Sequence, residues 1–378
     1  MSAECSQTST QRLLNKTQAM SNPQLSQVGV KTFAVSASRI TSRADLVEAN
    51  YFQPDCRLPL VITPATSEVD LLSWARSNRA FIEAHLLREG AILFRNFDLQ
   101  TTEEFEQLIE TVSGKLLDYS YRSTPRTLVS GRIYTSTEYP AHQSIPLHNE
   151  LSYSLDWPMK LWFFSMQVAE AGGETPIADS RKIYASLPVE IRDCFERQGL
   201  MYVRNYGTGL DLSWEEVFQT DNRVAVEDYC RAAGIEFEWI GAEQLRTRQR
   251  CQVSARHPQT GEMVWFNQAH LFHVSRLPVE VREFLLSNFA PDDLPRNVYF
   301  ADGSAIAPEM VDAILKVYEQ QAVVFPWRAG DVLLVENMLT AHGRNPFSGK
   351  RKVVVGMSQE NDRQTPIRNA EQTSITGA

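Results

Sequence analysis

Hydrophobic positions along the chain follow two periods, and the switches between them mark out the elements. From Ser67 to Arg88, Val69, Leu72, Ala75, Ala80, Ile82 and Leu86 recur at close to helical spacing. This predicts an amphipathic helix that stops at Gly90, a residue suited to the left-handed conformation of a helix end. Ala91-Ile-Leu-Phe-Arg-Asn-Phe97 then reads as a buried strand. Thr101 followed by Thr-Glu-Glu-Phe starts a second helix, with a hydroxyl cap and an acidic first turn. Leu58-Pro-Leu-Val-Ile-Thr reads as a short strand bounded by prolines.

Farther along, Lys160-Leu-Trp-Phe-Phe-Ser-Met-Gln-Val is a dense aromatic and β-branched run expected to be an inner strand, closed by the turn-forming Ala171-Gly-Gly-Glu-Thr-Pro176. Helices are predicted over Pro188 to Gln198, Trp214 to Phe218 and Arg223 to Ala233, the second opened by a capping box of Ser213 and Glu216. Strands return at Glu236-Phe-Glu-Trp-Ile, Gln252-Val-Ser-Ala-Arg and Met263-Val-Trp-Phe-Asn267. They continue at Ala322-Val-Val-Phe, Asp331 to Val335 and Lys352 to Met357. Many short strands divided by a helical stretch suit a mainly β fold with α decoration, of the double-sheet jelly-roll kind.

Residues 1–30 are rich in Ser, Gln, Thr and Asn and are expected to be a disordered N-terminal tail. A single domain is expected over 31–360, with a helical insertion at about 185–250, and a frayed C-terminal tail over 361–378. The 378 residues exceed a common domain of roughly 100–200 residues, but β domains of barrel type run longer as single units.

Chemistry enters at Pro146-Leu-His148-Asn-Glu150-Leu-Ser-Tyr153. On an extended strand, His148 and Glu150 would share one side, because side chains alternate with period 2. The run from Asp331 delivers a second imidazole at Ala341-His342-Gly-Arg344. Two histidines and one carboxylate leave the opposite positions of a metal open, the ligand set of non-haem Fe(II) oxygenases. A lone H-x-E is a common chance occurrence in a chain with seven histidines, so its neighbourhood decides the reading. His85, on the first predicted helix, reads as an ordinary packing residue.

Reductive activation of O2 needs electrons, and no G-x-G-x-x-G dinucleotide fingerprint is present to supply them. A bound 2-oxo acid is one candidate source. Its far carboxylate calls for a fixed, permanently charged, bidentate donor, which is arginine. Arg351, beyond the turn Asn345-Pro-Phe-Ser-Gly349, can begin the antiparallel neighbour of the His342 strand; Arg344 is the second candidate, and Thr175 a candidate hydroxyl partner.

Charge and cysteine content narrow the partners. The net charge is −9 and the 37 Lys and Arg residues are scattered, which argues against a nucleic-acid surface and for a small-molecule substrate. Five cysteines without a C-x-x-C suggest neither a disulfide framework nor a thiolate zinc site, and point to a reducing cytoplasm. No apolar run approaches the roughly 18 residues needed to span a bilayer, so no membrane partner is expected.

His148-Asn-Glu150-Leu-Ser-Tyr, Gly172-Gly-Glu-Thr175-Pro-Ile-Ala-Asp179-Ser-Arg, Val264-Trp-Phe-Asn267 and the stretch from Gly330 through Asn337, His342, Arg344 and Pro346-Phe347 to Arg351 carry a resemblance. Over roughly 85–357 the chain resembles the taurine dioxygenase (TauD/TfdA) family of Fe(II)/2-oxoglutarate-dependent oxygenases. The likeness is strongest to its clavaminate-synthase-like and syringomycin-type branch. The resemblance implies a double-stranded β-helix with His148, Glu150 and His342 on iron, and Arg351 and Thr175 on 2-oxoglutarate. Many relatives use Asp where this chain has Glu150, a change that keeps the carboxylate. Some carry a further arginine where this chain has Val355, which favours Arg351 as the anchor. The branch implies hydroxylation of amino acids, free or on a carrier protein, in natural-product pathways, with desaturation or cyclisation as alternatives. Readings from other classes are a zinc hydrolase and a non-catalytic cupin-like binding module. Tyr153, Trp157, Trp265 and Phe266 are aromatic candidates for the substrate pocket, or else packing.

Overall fold

The computed structural model describes residues 46–362 except 119–120, 122–126, 137–138 and 242. The tails expected over 1–30 and 361–378 fall outside these residues, apart from Asn361 and Asp362.

An eight-stranded sheet forms the frame. Its spatial order is Val47–Gln53, Cys56–Pro64, Ala91–Phe94, Val332–Glu336, Pro158–Gln167, Lys352–Glu360, Ile133–Thr135 and Leu128–Ser130. Neighbours are antiparallel except Cys56–Pro64 and Ala91–Phe94, which run parallel. The central strands are buried on both faces, and alternation decides which side chain goes where. Trp162, Phe164, Leu334 and Val354 face one way, onto Leu86, Phe105, Leu108 and Ile109 of the N-terminal helices. Leu161, Phe163, Leu333, Val335, Val353 and Val355 face the other way, toward Ile177, Phe325 and Trp327. Full burial of each such side chain contributes about 1.5–3 kcal/mol, so both faces anchor the sheet.

Opposite the second face lies a smaller sheet of Ile145–His148, Thr340–Arg344 and Ile177–Asp179. The two sheets sandwich a layer that Ile177 and Phe163 both enter, an arrangement consistent with a jelly roll.

The helix predicted from Ser67 to Arg88 is two helices, Leu71–Ser77 and Arg79–Glu89. Asn78 divides them, because its side-chain amide donates to the Trp74 carbonyl at 2.8 Å and caps the first. Gly90 ends the second in the left-handed conformation, as its position implied. The capping boxes Thr101 with Glu104 and Ser213 with Glu216 are both formed. Ala322-Val-Val-Phe is not a strand: only Val323 bridges to Ile177, and Pro326 lacks the N–H a ladder needs.

The segment expected as a helical insertion is mixed. It holds helices Val189–Gln198, Trp214–Phe218 and Arg223–Ala233, and also Leu200–Tyr206, Glu236–Ile240 and Gln244–Cys251. With Arg296–Phe300 these strands make a separate four-stranded sheet. In Gln244–Cys251, Leu245, Thr247, Gln249 and Cys251 are buried while arginines alternate with them, a period-2 pattern of charge that helical spacing hides. No helix among the described residues is long and apolar enough to cross a membrane.

Candidate metal centre

Thr340–Arg344 is the middle strand of the small sheet, and His342 stands in register with His148 on one side and Ile177 on the other. Gly343 lets the strands approach, since a Cβ there would lie 2.6 Å from the Ile145 carbonyl oxygen. The two imidazoles come together with ring centroids 4.5 Å apart. Ligating atoms of His148, Glu150 and His342 all lie within 4.8 Å of one another, and His342 Nε2 is 4.0 Å from Glu150 Oε2.

The donor chemistry fits a divalent metal. His148 Nδ1 lies 2.8 Å from the Pro146 carbonyl. A carbonyl only accepts, so Nδ1 carries the proton and Nε2 keeps a lone pair for coordination. Glu150 and His342 are buried and His148 is half-buried, which leaves the set reachable from one side.

Glu150 is not on the strand with His148. The strand ends at His148, and Glu150 opens a turn in which Leu151 has φ +56°. Its backbone is bonded instead to the side chain of Asn337, Glu150 N to Oδ1 at 2.8 Å and Nδ2 to Glu150 O at 2.9 Å. Period 2 therefore does not explain why histidine and carboxylate converge.

From the two histidines a cavity of about 400 Å³, counting its open mouth, runs past Phe163 and Val355 to Ser136, Thr175, Arg344 and Arg351. Arg351 does not begin a neighbour of the His342 strand. It precedes Lys352–Glu360, which pairs with Pro158–Gln167 in the large sheet, so it faces His342 across the gap between sheets. Its Nε donates to Gly173 O at 2.9 Å and its Nη1 to Ser136 Oγ at 3.3 Å. Gly173, at φ +77°, makes room: a Cβ would be 3.0 Å from Arg351 Cδ. Burial, then the nearby Arg344 charge, push the Arg351 pKa down to about 10, with Glu174 acting the other way. Two close guanidinium groups in a part-buried pocket favour an anionic ligand.

Arg344 lines the same cavity, but three of its five N–H hydrogens go to backbone carbonyls. Nη1 donates to Tyr139 O at 2.9 Å, and Nη2 to Pro140 O and Gln143 O, both at 2.8 Å. Thr175 Oγ1 accepts from Trp327 Nε1 at 3.0 Å, which leaves the hydroxyl proton to point elsewhere. The sequence reading missed Ser136 and Trp327; neither belongs to a pattern that would mark it. Asn337 was visible only as one letter of the resembling motif. Tyr153, Trp157, Trp265 and Phe266 are core residues and do not line this cavity. His85 packs on the Phe81 ring, away from the metal set, as an ordinary packing residue would.

A sandwich of two sheets with this ligand set and cavity defines the class of Fe(II)/2-oxoglutarate-dependent dioxygenases. Residues 57–357 match the model of the taurine catabolism dioxygenase TauD, TfdA family, and the chain belongs to that family. It is 39% identical over 297 residues to the dapdiamide synthesis protein DdaC of Enterobacter agglomerans, covering 79% of this chain and 90% of that one. It is 27% identical over 317 residues to a clavaminate synthase-like protein of Arabidopsis thaliana, covering 79% and 93%. The solved structure of PvcB from Pseudomonas aeruginosa shares the fold, with a TM-score of 0.51 at 12% identity over 84% of this chain and 92% of that one. The cofactor and cosubstrate of the enzyme are Fe(II) and 2-oxoglutarate, with O2 as oxidant.

Proposed function

We propose that this dioxygenase hydroxylates an unactivated C–H bond of an amino acid or amino-acid-derived small molecule, free or on a carrier protein, in natural-product biosynthesis. The observation that carries the reading is one cavity joining a two-histidine, one-carboxylate cluster to a half-buried arginine, Arg351. The natural-product role rests on likeness to DdaC, whose name places it in dapdiamide synthesis.

In this reading His148, Glu150 and His342 hold the iron. Arg351 grips the far carboxylate of 2-oxoglutarate, assisted by the hydroxyls of Thr175 and Ser136. Each hydroxyl accepts from a neighbouring N–H, Trp327 for Thr175 and Arg351 for Ser136, so each turns its own proton toward the incoming anion. Arg344, itself in the cavity wall, braces the 139–143 backbone. Phe163, 5.1 Å from the His342 ring, walls the metal from the large sheet and limits water there. Iron held there would supply the chemistry that couples decay of 2-oxoglutarate to succinate and CO2 with oxidation of the substrate, one atom of O2 going to succinate and the other to the product.

Glu150 also separates hydroxylation from halogenation. As an iron ligand, this carboxylate would fill the place that a halide would otherwise need. Desaturation or cyclisation would begin from the same hydrogen removal.

Two experiments test the reading. Under anaerobic conditions, Fe(II) with 2-oxoglutarate should give a weak visible charge-transfer band that Zn(II) does not; turnover with Zn(II) and no such band would support the hydrolase instead. A screen of free and carrier-loaded amino acids, read by succinate formation, should then find the substrate. Run in oxygen-18 gas with chloride present, its product should gain one labelled hydroxyl. A chlorinated product, or turnover without consumption of 2-oxoglutarate, refutes the reading.

A further inference from the structure

We propose that Asn337 is a positioning residue for the metal centre, holding the Glu150 backbone where the chain turns away from the His148 strand. The inference rests on the reading of Glu150 as an iron ligand.

His342 is fixed by backbone pairing on two sides. Glu150 has left its strand and lies in a turn. A primary amide presents a C=O and an N–H side by side, as a peptide unit does, and Asn337 turns both on Glu150: Oδ1 takes its N–H at 2.8 Å and Nδ2 gives to its carbonyl at 2.9 Å. The second Nδ2 hydrogen goes to Pro158 O at 2.8 Å, so both donors are spent.

The bracket is itself held. Asn337 is fully buried, its N–H donates to Met159 O at 2.8 Å, and its carbonyl accepts from Asn149 Nδ2 at 2.6 Å. Asn149 also reaches Ser180 Oγ at 3.0 Å. Just before it, Glu336 takes the Leu339 N–H at 2.7 Å and faces His257 Nε2 at 3.1 Å, which closes the turn between Val332–Glu336 and Thr340–Arg344. Asn337 and His342 thus lie close together where the chain crosses from the large sheet to the small one. The distance between two ligands far apart in the chain is set by a single turn and one side chain.

Leu151 shows where the structure would give way. Its φ of +56° is one a leucine adopts only when its surroundings impose it. Removing the bracket frees the Glu150–Leu151 turn to relax and carries the carboxylate away from the imidazoles.

The test is Co(II) titration of the full-length protein, followed by visible absorption, with no turnover required. Asn337→Ala should weaken Co(II) binding at least tenfold and alter the ligand-field spectrum. In a Glu150→Ala background the same change should alter affinity less than threefold, because Asn337 acts only through Glu150. Val311→Ala, a cavity in the helix Pro308–Gln321, is the control for lost stability and should leave affinity unchanged. If Asn337→Ala fails to fold, Asn337→Asp replaces it; it keeps the acceptor for Glu150 N–H but loses both donors, and should still weaken binding several-fold. Wild-type affinity in the Asn337 variant, or equal losses in both backgrounds, overturns the proposal. Wild-type affinity in Glu150→Ala would overturn it together with the ligand assignment beneath it, whereas a large loss there with none in the Asn337 variant overturns the bracket alone.

Discussion

At the histidine end of the cavity, both imidazoles are positioned by backbone. His148 and His342 are opposed residues of one antiparallel pair, and Gly343 lets the strands close. At the arginine end, position is imposed by side chains. Ser136, Thr175 and Arg351 come from three separate segments: Arg351 donates to Ser136 Oγ and to the Gly173 carbonyl, and Thr175 is held by Trp327. A ladder that fixes a ligand resists displacement, as metal geometry demands. A pocket built from side chains adapts to the anion it receives and is more easily retuned. Mutation should therefore act as all-or-none at one end and by degrees at the other.

The largest effect is expected at the iron end. His342→Ala should abolish iron binding and turnover while leaving the fold intact, since the imidazole faces the cavity; metal titration and the melting curve check both halves. Retained activity would remove His342 from the ligand set.

At the other end, Arg351→Ala removes one partner of a part-buried charge pair, which costs about 2–5 kcal/mol. The 2-oxoglutarate KM should rise by roughly 30-fold or more. Arg351→Lys should recover only part of it, because an ammonium cannot supply the planar fork.

Arg344→Ala sharpens the contrast between the two arginines. It strips three backbone carbonyls of their donor, so it should lower stability by about 1–3 kcal/mol and move the cosubstrate KM less than Arg351→Ala does. A larger KM effect from Arg344 than from Arg351 would exchange their roles.

The smallest effect belongs to Trp327→Phe. It removes one indole N–H from Thr175, worth about 1 kcal/mol, and should raise the 2-oxoglutarate KM several-fold with kcat nearly unchanged. An unchanged KM would mean that the Thr175 hydroxyl needs no orienting donor.

Local signals carried much of this protein. The Gly90 stop, the Thr101 and Ser213 caps and the run from Lys160 to Gln167 each depend on neighbours a few residues away, and each appears where the sequence placed it. The sequence also singled out His148, Glu150 and His342, which the structure brings within 4.8 Å of one another, and Thr175 and Arg351, which line one cavity with the two histidines. Tertiary structure alone decided how they meet. It took Glu150 off its strand and gave it to Asn337, put Arg351 on the sheet facing His342, spent Arg344 on the 139–143 backbone, and folded part of the expected helical stretch into a sheet. Each of these outcomes depends on which distant segment supplies a hydrogen-bond partner, and strand pairing across nearly two hundred residues leaves no trace in a local period.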